Sequence, residues 1–542
     1  MSIFVFFSCN RDNIIVDEYS DSLDRVKSLH DTSNVTKNWF KKDLNDDRIP
    51  GISLNKLYQT LLKNRSGSGC VIAVVDMAMD ISHESLGNAI WVNKDEIPNN
   101  KIDDDRNGYI DDERGWNFIG NTKNENILFA NYEYTRVIKK YQDKFRDKSK
   151  SDIPVNDLDK FNLFSRALEK YEKRKKYAFQ EKKYIDELEQ EFNQSIETIQ
   201  LYDKSIQLNP NDLKVLRNKY PNDKKLIKAI NFILKKKLTE SWVKNYKLKT
   251  YERINKLLNL EYNERLILGE NSSDLNDSIY GNNIVNGNLD LFDHGTKIAG
   301  CIASIVINEN VNNSIEIMPI AISPFGDEHD KDIALAIRYA VNNGAKVINL
   351  SFGKEFSLNP EWVIDALKYA ELNNVLVIKS AGNDNLDLDK SYNYPDDSMD
   401  RDKKEVHNFI RVGSTSYFLN EKFRSTFSNY GRSEVDIFAP GEKIFTSVST
   451  EEKYSYVSGT SVATAITSSL AGLLYSYYPD LSVQQIKNII LESGVSYNLE
   501  VDISKKGDIF KKTKSFKELS SSGSLLNAYN AFIMAENYLE KK

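Results

Sequence analysis

The sequence predicts an α/β protein, in which a doubly wound, mostly parallel sheet is flanked by helices and interrupted by an inserted α-helical subdomain. Continuous apolar runs that follow turn residues are typical of strands buried on both faces of a parallel sheet. These runs alternate with amphipathic stretches of helical length, which is the β-α-β order of a doubly wound sheet. One long segment rich in Lys, Glu, Tyr and Asn breaks this alternation.

The elements of the sheet domain are read from apolar runs in chain order. A polar lead-in covers about 10–68, and the apolar spacing from Leu54 to Leu62 predicts one short amphipathic helix within it. The first strand is predicted at 69–76. Further strands are predicted at 315–322, 345–350, 375–381 and 410–413, with helices at 332–341 and 361–372. The sheet domain therefore comprises 69–120 and 272–542.

The intervening segment, 121–271, is predicted to be a helical hairpin or bundle that is broken near Pro154, Pro210 and Pro221. Apolar residues recur there mostly at three- and four-residue steps: Ile185, Leu188, Phe192, Ile196, Ile199 and Ile206. Such a stripe favours packing between helices, and the charged faces favour solvated surface. A role in substrate access is the alternative for a long insertion of this kind.

Composition excludes several classes of function. The formal charge of −6 arises from 73 basic and 79 acidic residues, so no overall basic field is present to bind nucleic acid. Three cysteines are too few for a disulfide framework or a thiolate metal cluster. Beyond the N-terminus, no run approaches the ~20 apolar residues of a membrane span.

The first nine residues, ending in Ser8-Cys9, resemble the tail of a bacterial lipoprotein signal, in which a small residue precedes the lipidated cysteine. That resemblance implies an exported protein of the cell envelope or cell surface, attached to the membrane only through a lipid at Cys9. The match lacks a preceding Lys or Arg, and its apolar stretch is short. An ordinary apolar N-terminus is the alternative.

Three residues have the chemistry of an activated nucleophile, its base and the group that orients the base. Ser461 precedes an apolar helical run, so it is expected at a helix N-terminus, where free N–H groups favour negative charge. His294 opens another helical run and is followed by a glycine that permits close approach of backbone. Asp76 closes the first strand, and a buried carboxylate there needs a partner such as an imidazole. Taken singly, each has a structural alternative: helix capping, a structural histidine, or the start of a turn.

Together, the three sequence motifs resemble those of the subtilase family of serine proteases, in the chain order Asp, His, Ser. The segments concerned are Val74-Val-Asp76 with His83-Glu-Ser-Leu86, Asp293-His-Gly-Thr-Lys-Ile-Ala-Gly300, and Ser458-Gly-Thr-Ser461-Val-Ala-Thr464. The resemblance implies a subtilisin-like fold, protein or peptide substrates, no cofactor for the chemistry, and a catalytic triad of Asp76, His294 and Ser461.

Two further segments are similar to parts of the family outside the triad. Ile348-Asn-Leu-Ser-Phe-Gly353 resembles the strand segment that pairs with substrate backbone, which implies that Ser351, Phe352 and Gly353 bind substrate. Ser380-Ala-Gly-Asn383 resembles the oxyanion segment, which implies Ala381 and Gly382 in substrate binding and Asn383 as the oxyanion donor. The resemblance covers about 69–120 and 272–542.

The sequence also departs from the family pattern. Met77 and Ala78 follow Asp76 where Thr or Ser and then Gly are usual, so a hydroxyl that would support the carboxylate is lost. Ala465 stands where a proline is usual. The resemblance therefore predicts a serine endopeptidase, with a catalytically weak or inactive subtilase-fold binding lipoprotein as the alternative.

One acidic segment precedes the insertion and contains Asp103, Asp105, Asn107, Gly108 and Asp111. Oxygen ligands at alternate positions followed by glycine resemble the first half of an EF-hand loop, and so predict a structural calcium site at Asp103, Asp105, Asn107 and Asp111. The bidentate glutamate that ends such a loop is replaced by Arg114. A solvated acidic turn is the alternative.

Overall fold

The computed structural model describes residues 37–307, 312–399, 403–505 and 507–540. The predicted lipidation site, Cys9, and the rest of the predicted signal lie outside these residues. The described chain divides into two compact units. The first comprises the residues up to Asn126 together with Ile267–Ser323 and those from Glu328 onward, and the second comprises Ile127–Leu266 and Pro324–Asp327.

In chain order the strands are β1 (Ser66–Asp76), β2 (Trp116–Asn117), β3 (Asn312–Ala321), β4 (Ala345–Leu350), β5 (Leu376–Ser380), β6 (Phe409–Thr415), β7 (Ile437–Pro440), β8 (Ile444–Ser447), β9 (Tyr454–Val457), β10 (Glu500–Asp502) and β11 (Thr513–Ser515). The α-helices are α1 (Leu44–Asp47), α2 (Leu54–Gln59), α3 (Glu133–Phe145), α4 (Leu158–Gln200), α5 (Pro210–Lys219), α6 (Lys224–Lys236), α7 (Glu240–Glu252), α8 (His294–Val306), α9 (Asp330–Asn342), α10 (Pro360–Leu372), α11 (Thr460–Tyr477), α12 (Val483–Glu492) and α13 (Ala528–Glu540).

The first unit is built on a parallel sheet that has seven strands in the described part of the chain, in the order β2-β3-β1-β4-β5-β6-β7. The predicted α/β class with a parallel sheet is therefore confirmed. The predicted strand at 345–350 coincides with β4, and the other predicted strands overlap β1, β3, β5 and β6. The predicted helices at 332–341 and 361–372 lie within α9 and α10.

Both faces of this sheet are buried. Alternate side chains of a strand point to opposite faces, so successive residues of one strand belong to different apolar clusters. Ile72 and Val74 of β1 belong to one apolar cluster, which also contains residues of α8, α11 and α13. Ala73 and Val75 belong to the other, with residues of α9 and α10. The continuous apolar run of β1 in the sequence is thus the consequence of a two-sided core.

The lead-in contributes to the first core. Helix α2 forms where the apolar spacing predicts it, and Leu54, Leu57 and Tyr58 are buried. Trp39 and Phe40 are also fully buried in the same cluster as Ile72. From residue 37 onward, where the structure describes it, the lead-in therefore packs as part of the sheet unit.

The second unit is helical and contains α3 to α7. Its longest element, α4, has 43 residues. Ile185, Leu188, Phe192 and Ile199 of α4 are buried in a cluster that also contains residues of α5, α6 and α7. The unit spans 127–266 where the sequence predicts an insertion of 121–271. Among the described residues, no helix is both long enough and apolar enough to cross a bilayer.

Candidate active site

Asp76 and His294 are separated by 218 residues in the sequence, and the fold brings them into direct contact. Asp76 is the last residue of β1 and only 2% exposed, and His294 is the first residue of α8. His294 Nδ1 lies 2.7 Å from Asp76 Oδ1. With its Nδ1 proton donated to the carboxylate, the neutral imidazole has Nε2 free to accept a proton.

The Asp76 carboxylate is supported on one oxygen only. The backbone N–H of Met77 donates to Oδ1 over 2.7 Å. Asp76 Oδ2 is buried and has no hydrogen-bond partner among the described residues. This unsupported oxygen agrees with the departure seen in the sequence, where Met77 replaces a residue with a hydroxyl.

The charge state of His294 depends on Asp76. Burial lowers the pKa of the imidazole, but the Asp76 charge and hydrogen bond outweigh burial, so the pKa is raised above its ordinary value of 6.5. The side chain is still 34% exposed, so water or a substrate has access to it. Asp76 thereby stabilises the imidazolium that forms when His294 accepts a proton.

Gly295 makes the contact between α8 and the end of β1 possible. A Cβ at this position would lie 2.6 Å from the carbonyl oxygens of both Met77 and Ala78. Backbone atoms cannot yield to such an overlap, so any larger residue forces the two segments apart. The sequence-based expectation that a small residue after the histidine permits close approach of backbone is confirmed.

Ser461 is the second residue of α11 and is 9% exposed. Its hydroxyl donates to the backbone carbonyl of Ser351 over 3.0 Å, and the Ser351 hydroxyl donates to the carbonyl of Ser461 over 3.1 Å. Among the described residues, no hydrogen bond joins Ser461 to His294. Catalytic hydrogen bonds often form only once substrate is bound.

Asn383 lies in the loop after β5 and is held against the first residue of α11. Its Oδ1 accepts from the backbone N–H of Thr460 over 2.9 Å and from the Thr460 hydroxyl over 3.0 Å. Because both bonds use the oxygen, the amide Nδ2 is the end that remains to donate elsewhere. The sequence pattern does not reveal this role of Thr460.

Three groups surround one point beside Gly459. A Cβ built on Gly459 would lie 3.7 Å from Asn383 Nδ2, 3.7 Å from the backbone N of Ser461 and 3.8 Å from Ser461 Oγ. Two hydrogen-bond donors and a nucleophile therefore lie close together, and an oxyanion hole requires donors next to the attacking oxygen.

The predicted substrate-binding residues follow two neighbouring parallel strands. Ser351, Phe352 and Gly353 come after β4, and Ala381 and Gly382 come after β5. The two strands pair in parallel, with Leu350 opposite Lys379, so both segments leave the same edge of the sheet. This edge also contains Asp76, and it is where a doubly wound sheet places its ligands.

A model of the subtilase family matches residues 67–517. The chain belongs to the subtilase family. Among its relatives, the cell wall-associated protease of Bacillus subtilis is 33% identical over 237 residues, which cover 43% of this chain and 24% of that protein. The thermophilic serine proteinase of Bacillus sp. strain AK1 is 31% identical over 248 residues, which cover 45% of this chain and 53% of that protein.

Solved structures similar to this subtilase include a lanthipeptide protease, with 24% identity, a TM-score of 0.34, and coverage of 45% of this chain and 75% of that one. A cold-adapted subtilisin-like serine proteinase is also 24% identical, with a TM-score of 0.33 and coverage of 44% and 74%. The region matched to the curated relatives named above spans about a quarter of the first and about half of the second.

The acidic segment folds as a compact loop in which the carboxylates have different partners. Both oxygens of Asp103 accept backbone N–H groups, from Asn107 and Gly108, and both oxygens of Asp111 accept from Asn100 and Lys101. Only Asp105 of the predicted acidic ligands lies in a group of three mutually close carboxylates. The other two are Glu96 and Asp112, and their oxygens lie within 4.8 Å of one another.

Burial raises the pKa of both Glu96 and Asp112, and the neighbouring Asp105 charge adds to this shift in each case. The predicted Asn107 lies against this group, since its side-chain amide donates to Asp105 and to Asp112. Glu96 and Asp112 are not among the residues that the sequence pattern predicts for the site. The nearest available signal was the pair Asp111-Asp112 at the end of the acidic run.

Proposed function

We propose that this protein is a serine endopeptidase that hydrolyses peptide bonds in proteins through Asp76, His294 and Ser461. The observation that supports the proposal most strongly is the convergence of Ser461 Oγ, the Ser461 backbone N and Asn383 Nδ2 around one point. Membership of the subtilase family and the protease names of the relatives point the same way. The proposal needs no metal or cofactor for the chemical step.

In the proposed reaction, His294 Nε2 removes the proton of the Ser461 hydroxyl as Oγ attacks the scissile carbonyl carbon. The carbonyl oxygen becomes an oxyanion that accepts from Asn383 Nδ2 and from the backbone N–H of Ser461. Protonated His294 then gives its proton to the leaving amine, and the acyl-enzyme is hydrolysed by water with His294 as base again. Asp76 holds the imidazole in the required tautomer throughout.

A fluorophosphonate probe tests this proposal, because it reacts covalently with an activated serine. We expect labelling of the folded, mature protein and complete loss of labelling in Ser461→Ala. Ser468→Ala, which alters a buried serine two turns along α11, is the matched control and should still be labelled. Folded, mature protein that stays unlabelled contradicts the proposal and favours a non-cleaving binding protein of the same fold.

We further propose a structural calcium ion at the acidic loop. The support is the group of Glu96, Asp105 and Asp112, whose oxygen donors are the type that calcium prefers and whose mutual repulsion a cation would relieve. Saturating calcium should raise Tm relative to protein in chelator, and Asp112→Asn should abolish most of this rise. An identical Tm in calcium and in chelator contradicts the site.

We also propose export to the cell envelope with a lipid at Cys9. The support is the resemblance of the first nine residues to a lipoprotein signal, together with relatives named as cell wall-associated and extracellular. Metabolic labelling with a radioactive fatty acid should mark the wild-type chain and leave Cys9→Ala unmarked. Equal labelling of both chains would exclude Cys9.

A further inference from the structure

The side-chain amide of Asn393 lies between the two segments that follow β4 and β5. A Cβ built on Gly353 would lie 3.1 Å from Asn393 Oδ1 and 3.2 Å from its Nδ2, and a Cβ on Gly382 would lie 3.3 Å from the same Nδ2. Asn393 is held there by its neighbour Tyr394, whose backbone exchanges two hydrogen bonds with Lys354, at 2.7 and 2.9 Å. The amide thus sits between the two glycines.

Lys379 determines which end of this amide faces the gap. Lys379 belongs to β5 and is completely buried. Its Nζ donates to Asn393 Oδ1, to the Ser380 carbonyl over 3.2 Å and to the Asn393 carbonyl over 3.5 Å. With Nζ as the donor in this contact, Oδ1 is the end of the amide that faces Lys379 and Nδ2 is the end that points away.

The amide nitrogen is available to a ligand. Asn393 is partly exposed, and within the described ranges its Nδ2 has no hydrogen-bond acceptor. Gly382 adjoins Asn383, and Gly353 lies two residues after Ser351, whose carbonyl accepts from Ser461 Oγ. A substrate residue whose carbonyl carbon is at Ser461 Oγ would therefore have its own side chain near the gap between the two glycines.

We propose that Asn393, backed by Lys379, selects the side chain on the amino side of the scissile bond, and that the preferred side chain is a carboxylate. The inference rests on the proposed function. A carboxylate accepts from Asn393 Nδ2, and its negative charge favours the protonated form of the Lys379 amine behind the amide. An apolar side chain leaves the amide donors unpaired on desolvation, which disfavours its binding.

The surroundings of Lys379 disfavour its charged form unless a further negative charge is supplied. Burial and the nearby Arg411 charge lower the pKa of Lys379 well below its usual value, and Asp396, Glu434 and Glu328 oppose that shift. Asp396 and Glu434 are already paired with Arg411, at 2.7 and 2.6 Å. A substrate carboxylate would supply a further negative charge close to Lys379 and favour its protonated form.

The test is a cleavage profile with a peptide library, comparing the wild-type protein with Lys379→Met and Asn393→Asp. We expect the wild type to prefer Glu or Asp before the cleaved bond. Lys379→Met keeps the length of the side chain and removes the amine that binds Asn393 Oδ1, so the ratio of kcat/KM for Glu over Leu should fall about tenfold. Asn393→Asp places a negative charge between the two glycines, where it repels a substrate carboxylate. It should therefore lower the kcat/KM ratio for Glu over Leu at least as much.

Asn420→Asp is the matched control, because it makes the same substitution in a surface loop, and it should leave the profile unchanged. If Lys379→Met fails to fold, the Asn393→Asp profile decides the question. A wild-type profile that favours apolar residues, or a ratio unchanged in Asn393→Asp, overturns the inference while leaving the proposed function standing. Absence of all cleavage and of fluorophosphonate labelling instead overturns the proposed function.

Discussion

The acid–base half of the candidate active site, Asp76 with His294, differs from the nucleophile half, Ser461 with Asn383. In the acid–base half the decisive contact is already made, since Nδ1 and Oδ1 are 2.7 Å apart. In the nucleophile half the hydroxyl donates to the Ser351 carbonyl. The fold thus pre-forms the contact that raises the pKa of His294, whereas the hydroxyl of Ser461 is hydrogen-bonded to another backbone group.

The largest loss of kcat is expected when the contact between Asp76 and His294 is removed. Asp76→Asn removes the negative charge and the acceptor that select the His294 tautomer, so kcat should fall by about 10⁴-fold, measured as peptide hydrolysis. Asp293→Asn is the matched control, because it removes a carboxylate next to His294 that is paired with Lys297 at 2.7 Å. Losses of similar size in both variants would show that general charge, rather than the direct contact, is responsible.

The next largest effect is expected in the nucleophile half. Asn383→Asp keeps the oxygen that anchors Thr460 and removes the amide donor, so kcat should fall by roughly 10²–10³-fold, the cost of losing such a donor in subtilisin. Thr460→Val removes one of the two bonds to Asn383 Oδ1 and leaves the donor in place. It should cost much less; an equal loss in the two variants would assign the effect to anchoring of the loop.

The variant Gly295→Ala tests the close packing between the start of α8 and the end of β1. The added Cβ overlaps backbone carbonyls at 2.6 Å, so the free energy of unfolding should fall by about 1–3 kcal/mol in urea melts. Gly69→Ala is the control, since its Cβ would meet only the Ser314 carbonyl, at an ordinary 3.6 Å. Unchanged stability in Gly295→Ala would mean that α8 and the end of β1 are free to separate.

The smallest expected effect is a shift in the midpoint of the acid limb of the pH profile of kcat/KM. His294 must be neutral to accept the Ser461 proton, so kcat/KM falls as the pH drops through the His294 pKa. Because Asp76 raises this pKa, the midpoint should lie above 6.5 in the wild type. In Asp76→Asn the raising charge is gone and burial remains, so the midpoint of the residual activity should move to lower pH. A midpoint that does not move would show that Asp76 does not control the base.

Several features of this protein could be predicted without coordinates. The apolar run of β1 indicated a two-sided core, because residues on both faces of a parallel strand must leave water. The aspartate and histidine motifs identified two residues that the fold brings into contact, since the resemblance lies in short segments with a fixed local structure. In the acidic loop the spacing predicts Asp103, Asp105, Asn107 and Asp111 as calcium ligands. The fold groups Asp105 with Glu96 and Asp112, which lie outside the pattern, and gives Asp103 and Asp111 backbone N–H donors.

By itself, the sequence determined the α/β class, the strand and helix that end at Asp76 and begin at His294, and the helix start at Ser461. These follow from local apolar periodicity and from motifs read along the chain. Only the tertiary structure decided that Asp76 Oδ2 has no partner among the described residues, that Thr460 holds Asn383, and that Lys379 orients Asn393. Each of these is a contact of a few ångströms between segments far apart in the chain, and its geometry depends on how the packed strands and loops meet.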